Sequence, residues 1–213
     1  MNKIIALSLW GDNPRYSIGA IRNAELGKKI FPEWNIFVYY NSSVQQRYIE
    51  ELKSFENVKL INCDDLTEVS PYFWRFFCLF ENEDNIVLIR DADSRLSLRE
   101  KSCIDEWLIS KENYSIIRDH VRHYDFPMLA GMWGHKGKLP DELFQEMLKY
   151  AKKNFYTVDQ EYLKNCVWEY SEYDSCVMGI LENKEFYSSR EDILPHFVGQ
   201  GYDENETPIY PVE

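Results

Sequence analysis

The chain has 213 residues, of which 45% are apolar and 28% charged, and a formal net charge of −12. That balance excludes a disordered polymer and leaves enough chain for one sizeable α/β domain. With 24 Lys and Arg against 36 Asp and Glu, it also lacks the basic face a nucleic-acid binder needs.

Ile4–Leu9 is a short apolar run and predicts a first buried strand, broken by Trp10-Gly11-Asp12-Asn13. Asn13 can cap a helix and Pro14 suits its first position; Ile18, Ile21 and Leu26 then recur at helical spacing. Trp34–Tyr40 predicts a second strand. Asn41-Ser42-Ser43 opens a helix with Val44, Tyr48, Leu52 and Phe55 on one face, and Val58–Ile61 is a third strand. Ser70-Pro71 starts another helix whose body, Tyr72 to Phe80, is almost wholly apolar and therefore buried. Arg75 inside it must reach an anion or the surface. A fourth strand follows and runs into Asp91-Ala92-Asp93. This alternation over residues 1–95 predicts a parallel sheet with right-handed crossovers.

The second half is less regular. Helices are expected over Cys103–Ser110, from Pro140-Asp141 to about Lys153, and over Asp159–Trp168. Tyr114–Arg118 reads as a strand. An apolar run from Asp125 to Trp133 is closed by Gly131, Gly134 and Gly137, and Ile193–Gly201 reads as a loop.

No stretch approaches the ~20 apolar residues that span a bilayer. The run after Met1 is too short for a signal peptide and lacks its cleavage pattern. The five cysteines form no C-x-x-C pair, which fits buried thiols in a reducing, cytoplasmic compartment.

Five constellations could carry chemistry. Asp91 and Asp93 close a buried strand one residue apart, where open α/β sheets bind ligands. Two such carboxylates suit a hard divalent cation, and a hard cation suits a diphosphate; helix-capping acids in a polar turn are the plainer alternative. His196, in His196-Phe197-Val198-Gly199-Gln200-Gly201, could add a third ligand and favour Mn2+ over Mg2+. Gly199 and Gly201 would let backbone N–H groups of that loop, Gln200 included, approach a phosphate, although the segment also reads as an ordinary loop. Asp159-Gln160 stands at a helix start, as a capping acid or as a group facing the reacting carbon or an acceptor hydroxyl. Arg118-Asp119-His120-Val121-Arg122-His123 is a basic patch in an acidic chain, suited to a phosphate or sugar or to plain solvation. Gly131 and Trp133 could line a sugar pocket or sit in the core.

Taken together, the D-x-D after a fourth strand, the later Asp159-Gln160 pair and His196-Phe197-Val198-Gly199 resemble, in chain order, the motifs of GT-A-fold nucleotide-sugar glycosyltransferases. The likeness is to the retaining, glycogenin- and galactosyltransferase-like branch; the chain as a whole also resembles the glycosyltransferase domain encoded by large chlorella viruses, which would place it in the host cytoplasm. The resemblance implies an α/β, Rossmann-like, mainly parallel central sheet flanked by helices. It also implies a single domain with a nucleotide-binding half (1–95) and a sugar and acceptor half (96–213). The chain ends soon after Pro208 without an evident closing element, which fits a domain of a longer protein.

The activity implied is metal-dependent transfer of a sugar from a nucleoside diphosphate, UDP being the expectation, to a hydroxyl of a glycan or glycoprotein acceptor, with retention of configuration. Asp91, Asp93 and His196 would hold Mn2+ or Mg2+, and Asp159 and Gln160 would serve catalysis. Trp10, Asp12, Arg15, Tyr16, Asn62 and Asp64 would embrace the nucleotide by the switch-point rule, with Arg75, Asp91, Gly199 and Gln200 on the diphosphate. Arg118, Asp119, Gly131 and Trp133 would meet the sugar. One departure stands out: that branch continues H-x-x-G with Lys-Pro-Trp, whereas Gln200-Gly201-Tyr202 stands here, so another cation, such as Arg75, must meet the leaving phosphate. Two other readings remain. A haloacid-dehalogenase-like phosphatase also places D-x-D after a strand, but normally the first strand, with Thr or Val following. A non-catalytic nucleotide-sugar-binding domain would keep the fold without turnover.

Overall fold

The structure is a computed structural model describing residues 1–153, 155–182 and 197–209. Its centre is a seven-stranded sheet in the order β3-β2-β1-β4-β6-β5-β7. The strands are β1 (Asn2–Leu9), β2 (Asn35–Tyr40), β3 (Val58–Asn62), β4 (Asn85–Arg90), β5 (Tyr114–Arg118), β6 (Met132–Lys136) and β7 (Ser175–Gly179). β1, β2, β3 and β4 pair in parallel, as do β5 and β7, while β6 runs antiparallel to both its neighbours. The expected mixed, mainly parallel α/β sheet is what the chain forms.

Both faces of this sheet are covered, which is why its central strands read as continuous apolar runs rather than alternating ones. Ile5, Leu7 and Leu9 of β1 and Ile86 and Leu88 of β4 pack on one side with α1 (Pro14–Ile30), α2 (Gln46–Lys53) and α3 (Leu98–Ile109). Ile4, Ala6, Val87 and Ile89 pack on the other. There they meet the segment Pro71–Phe80, α4 (Asp141–Ala151) and α5 (Val158–Tyr162). A π turn (Leu163–Val167) joins α5 to α6 (Trp168–Ser171).

Three local expectations are corrected. Asn41-Ser42-Ser43 does not open α2, which starts at Gln46; those side chains close a turn instead, the Ser43 hydroxyl donating to Asn41 and accepting from the Gly11 N–H at 2.7 Å. Pro71–Phe80 is a 3₁₀ helix, and Ser70 makes no cap bond to it. Packing overrides propensity here: nine of its ten side chains are apolar or aromatic, and the tighter winding lets most of them reach the sheet. Finally, two strands are added to those expected: β6, where the sequence reads only as an apolar run from Asp125 to Trp133, and β7. The short Ser175–Gly179 run of β7 carries little periodicity, and only pairing with β5 reveals it as a strand.

β1 has β2 on one side and β4 on the other, so the chain order reverses between β1 and β4. A crevice opens outside the carboxyl ends of two such strands. Ser8 and Trp10 at the end of β1 and Asp91 and Asp93 at the end of β4 meet there.

Candidate active site

The crevice is a cleft of about 610 Å3, the size of an ordinary small-molecule or cofactor site. Its floor is the D-x-D turn, and α1 fixes that turn. Asn13 caps α1 by accepting from the Arg15 N–H at 3.1 Å. One turn in, Gly19 allows close contact, since a Cβ there would stand 2.2 Å from the Ala92 carbonyl. The buried Asn23 amide donates to the Ser94 carbonyl at 2.8 Å and accepts from the Leu96 N–H at 3.0 Å. The Asp93 carbonyl accepts from the Tyr202 N–H at 3.0 Å and from the Arg95 guanidinium at 3.0 Å. The turn's backbone is therefore held from three directions, leaving its two carboxylates as the variable part.

Each carboxylate has an arginine. Arg15 pairs with Asp93. Arg75, buried in the 3₁₀ helix, pairs with Asp91 through one nitrogen and reaches the Asp159 carboxylate at 3.0 Å with the other. It also donates to the Arg90 carbonyl at 2.8 Å, and its own N–H donates to the Ser8 hydroxyl at 3.0 Å. One guanidinium thus ties the ends of β1 and β4 to α5. Burial raises the Asp93 pKa, and the neighbouring Asp91 charge raises it further, against Arg15. Burial likewise raises Asp159, with Arg75 opposing.

Gln160 spends its side chain on the opposite wall. Its amide oxygen accepts from the Ala130 N–H at 3.0 Å and its nitrogen donates to the Met128 carbonyl. This fixes the strand entering β6. The antiparallel register pairs Arg90 with Met132, so one step further Gly131 falls opposite Asp91. A Cβ on Gly131 would stand 2.0 Å from an Asp91 carboxylate oxygen; only glycine leaves that carboxylate room.

The structure gathers Trp10, Asp12, Arg15, Tyr16, Arg75, Asp91, Asp93, Gly131, Asp159, Gln160 and Gly199 in the one cleft. The remaining expected residues stand elsewhere. Asn62 and Asp64 bond each other and the Ser42 N–H at the end of β3, outside the lining. Gln200 is buried beside the cleft rather than lining it. Trp133 alternates to the far side of β6 and packs edge-on against Phe76 in the core. Asp119 is fully buried, paired with Arg99 at 2.9 Å, and accepts from the Val198 N–H at 2.8 Å, so it anchors the segment that carries Gly199. Arg118 bonds the Pro127 carbonyl and pairs with Glu182. His196 lies outside the described residues.

Tyr72, Tyr156 and Thr157, to which composition and spacing give no role, also line the cleft, together with His123 of the basic patch and Phe126 of the apolar run before β6. Thr157 carried a signal only in its backbone: its φ of 75° is a left-handed conformation that β-branched residues rarely adopt outside strained functional loops.

A hard divalent cation fits this donor set: two aspartates on one turn, one of them half exposed to the cleft and the other raised first by burial and then by its neighbour's charge. Among the described residues no third His, Cys, Asp or Glu joins them in a metal-binding group.

No protein-family model matches the sequence, and no curated protein matches it either. Solved structures do match in fold. A putative glucose-1-phosphate thymidylyltransferase from Bacillus anthracis is 12% identical with a TM-score of 0.53, over 91% of this chain and 96% of that one. A mannosyltransferase from Pyrobaculum calidifontis, solved with GDP-Man and Mn2+, is 12% identical with a TM-score of 0.53, over 84% and 54%. Glucosyl-3-phosphoglycerate synthase from Mycobacterium tuberculosis, solved with Mn2+, UDP and phosphoglyceric acid, is 11% identical with a TM-score of 0.51, over 84% and 68%. The chain has the GT-A, Rossmann-like fold that these transferases share. No described helix is long and apolar enough to cross a membrane.

Proposed function

We propose that this chain is a metal-dependent glycosyltransferase that moves a sugar from a nucleoside diphosphate sugar, UDP being the expected carrier, to a hydroxyl acceptor. The observation that carries the reading is the convergence of the D-x-D pair, two arginines and the Asp159-Gln160 pair in one cleft at the switch point of the sheet. Asp91 and Asp93, with His196 as a further candidate, would hold Mn2+ or Mg2+, which when bound neutralises charge on a departing diphosphate.

This chain's residues supply the rest. Arg15 and Arg75 are positioned to exchange part of their pairing with the aspartates for phosphate oxygens, an arginine's preferred partner. That would let Arg75 serve where a lysine after H-x-x-G is missing. Trp10, Tyr16 and Tyr72 offer flat faces at the β1 end for a base or ribose. Asp159, held by Arg75 and raised by burial, suits a group that takes the proton of the acceptor hydroxyl, because a base works best with its pKa moved toward the working pH. Gln160 positions the wall on which Gly131 faces Asp91.

The test is UDP release from a panel of UDP-sugars with Mn2+. Wild type should turn over at least one donor in a metal-dependent way and Asp93→Ala should not; an Asp93→Ala enzyme of full activity would sink the assignment. Pyrophosphate release from a nucleoside triphosphate and a sugar phosphate would point instead to nucleotidyl transfer, and hydrolysis of a generic phosphomonoester to a phosphatase.

A further inference from the structure

The cleft has an outer region that neither diphosphate nor metal chemistry explains. Tyr156 lines it yet is 79% exposed. A tyrosine ring at the mouth of a cleft presents an apolar face beside a polar hydroxyl, a surface on which a sugar ring can pack. The backbone enforces that placement. Thr157 holds a left-handed φ of 75°, and across it the chain passes from exposed Tyr156 to fully buried Val158 and then to Asp159. The turn sets an aromatic face outside and the buried carboxylate inside within a few residues. Tyr16, Tyr72 and Tyr156 all line this cleft.

Charge narrows the ligand. Four aspartates, Asp12, Asp91, Asp93 and Asp159, line the cleft against two arginines, and both arginines are already engaged by carboxylates. An anionic acceptor would meet net repulsion. A neutral ring with an apolar face for an aromatic side chain and hydroxyls for carboxylates matches both features.

We propose that Tyr156 forms a platform at the cleft mouth for an uncharged hexopyranose ring, the sugar that accepts the transferred group. The proposal rests on the glycosyltransferase reading and names its acceptor class.

The experiment titrates the full chain, with Mn2+ and UDP present, with methyl gluco-, galacto- and mannopyranosides, reading binding by saturation-transfer NMR. At least one neutral glycoside should bind, and Tyr156→Ala should weaken it by about tenfold or more, whereas Tyr156→Phe and Tyr156→Trp, which keep a ring, should stay within about threefold. Tyr173→Ala, which removes a 93% exposed tyrosine outside the cleft, should bind as wild type does. The proposal is overturned if no neutral glycoside binds, if methyl glucuronide binds more tightly than all of them, if Tyr156→Ala binds normally, or if Tyr156→Phe is as weak as Tyr156→Ala. Replacing UDP by UDP-glucose should leave glycoside binding in place; displacement would put the ring in the donor's own sugar site and also overturn it. A thermal melt with UDP and Mn2+ separates the two levels: no stabilisation refutes the nucleotide reading, while the glycoside titration is scored either way.

Discussion

Gly131→Ala is the most local perturbation the cleft allows. Residue 131 has no positive φ, so alanine fits its backbone, and the lost glycine freedom in the unfolded chain favours the variant by ~0.4–1 kcal/mol. The added Cβ would stand 2.0 Å from one Asp91 carboxylate oxygen and 2.5 Å from its Cγ. Ordinary contact begins near 3.4 Å, so the carboxylate must retreat by roughly 1.4 Å. It has somewhere to go, because its side chain is 51% exposed, and Arg75 keeps its bond to Asp159. Folding stability should therefore change by no more than ~1 kcal/mol. Catalysis should not be so tolerant. A misplacement of about 1 Å in a positioned group costs on the order of 100-fold, or ~2.7 kcal/mol of transition-state stabilisation. The assay is kcat/KM for Mn2+-dependent UDP release beside a urea melt. A folded Gly131→Ala protein with kcat/KM within about twofold of wild type would refute the placement of Asp91 in the reacting centre.

Two further outcomes follow from buried charge. Arg75→Met strands the Asp159 carboxylate, whose side chain is 7% exposed, and should cost about 3 kcal/mol in urea unfolding at pH 7; Asp159→Asn in the same chain should recover most of it, and a loss below ~1 kcal/mol would show that the pair holds nothing together. His135, 6% exposed between β4 and β5, has its pKa pushed down to about 4 by burial. The neutral ring is the folded form, so its contribution is complete above the unfolded value near 6.5. That contribution is lost as the pH falls from there toward 4, about 3 kcal/mol in all. His135→Phe should flatten that part of the stability–pH curve relative to wild type; parallel curves between pH 6.5 and 5 would contradict the assignment.

Much of the first half was legible because its rules are local. The run Ile86–Ile89 is apolar on both faces because both faces are covered, and Asn13-Pro14 starts a helix by its own chemistry. From those, the position of Asp91 and Asp93 at the carboxyl end of a buried strand follows; that the chain order reverses between β1 and β4, leaving Asn62 and Asp64 outside the cleft, is a matter of strand order that only the sheet reveals. The roles of Arg75, Trp133, Asp119 and Gly131 were not legible. The spacing of Arg75 shows that it needs an anion, but not that its anions are Asp91 and Asp159, 16 and 84 residues away. Trp133 looks like a sugar platform until the pleat of β6 turns it into the core against Phe76. Asp119 looks like part of a basic surface patch until Arg99 and the Val198 N–H claim it.

The sequence by itself therefore determined the strand–helix alternation, the sheet edge at which two carboxylates are presented, and the acidic character of the chain. Those depend on neighbours a few residues apart and on side-chain chemistry that does not change with folding. The tertiary structure alone decided which cation answers which carboxylate, that Gly131 leaves room for Asp91, and that the left-handed turn at Thr157 sets Tyr156 at the mouth and Asp159 inside. Each of these is a contact or conformation selected when distant segments compete for one space, and no local pattern encodes the outcome of that competition.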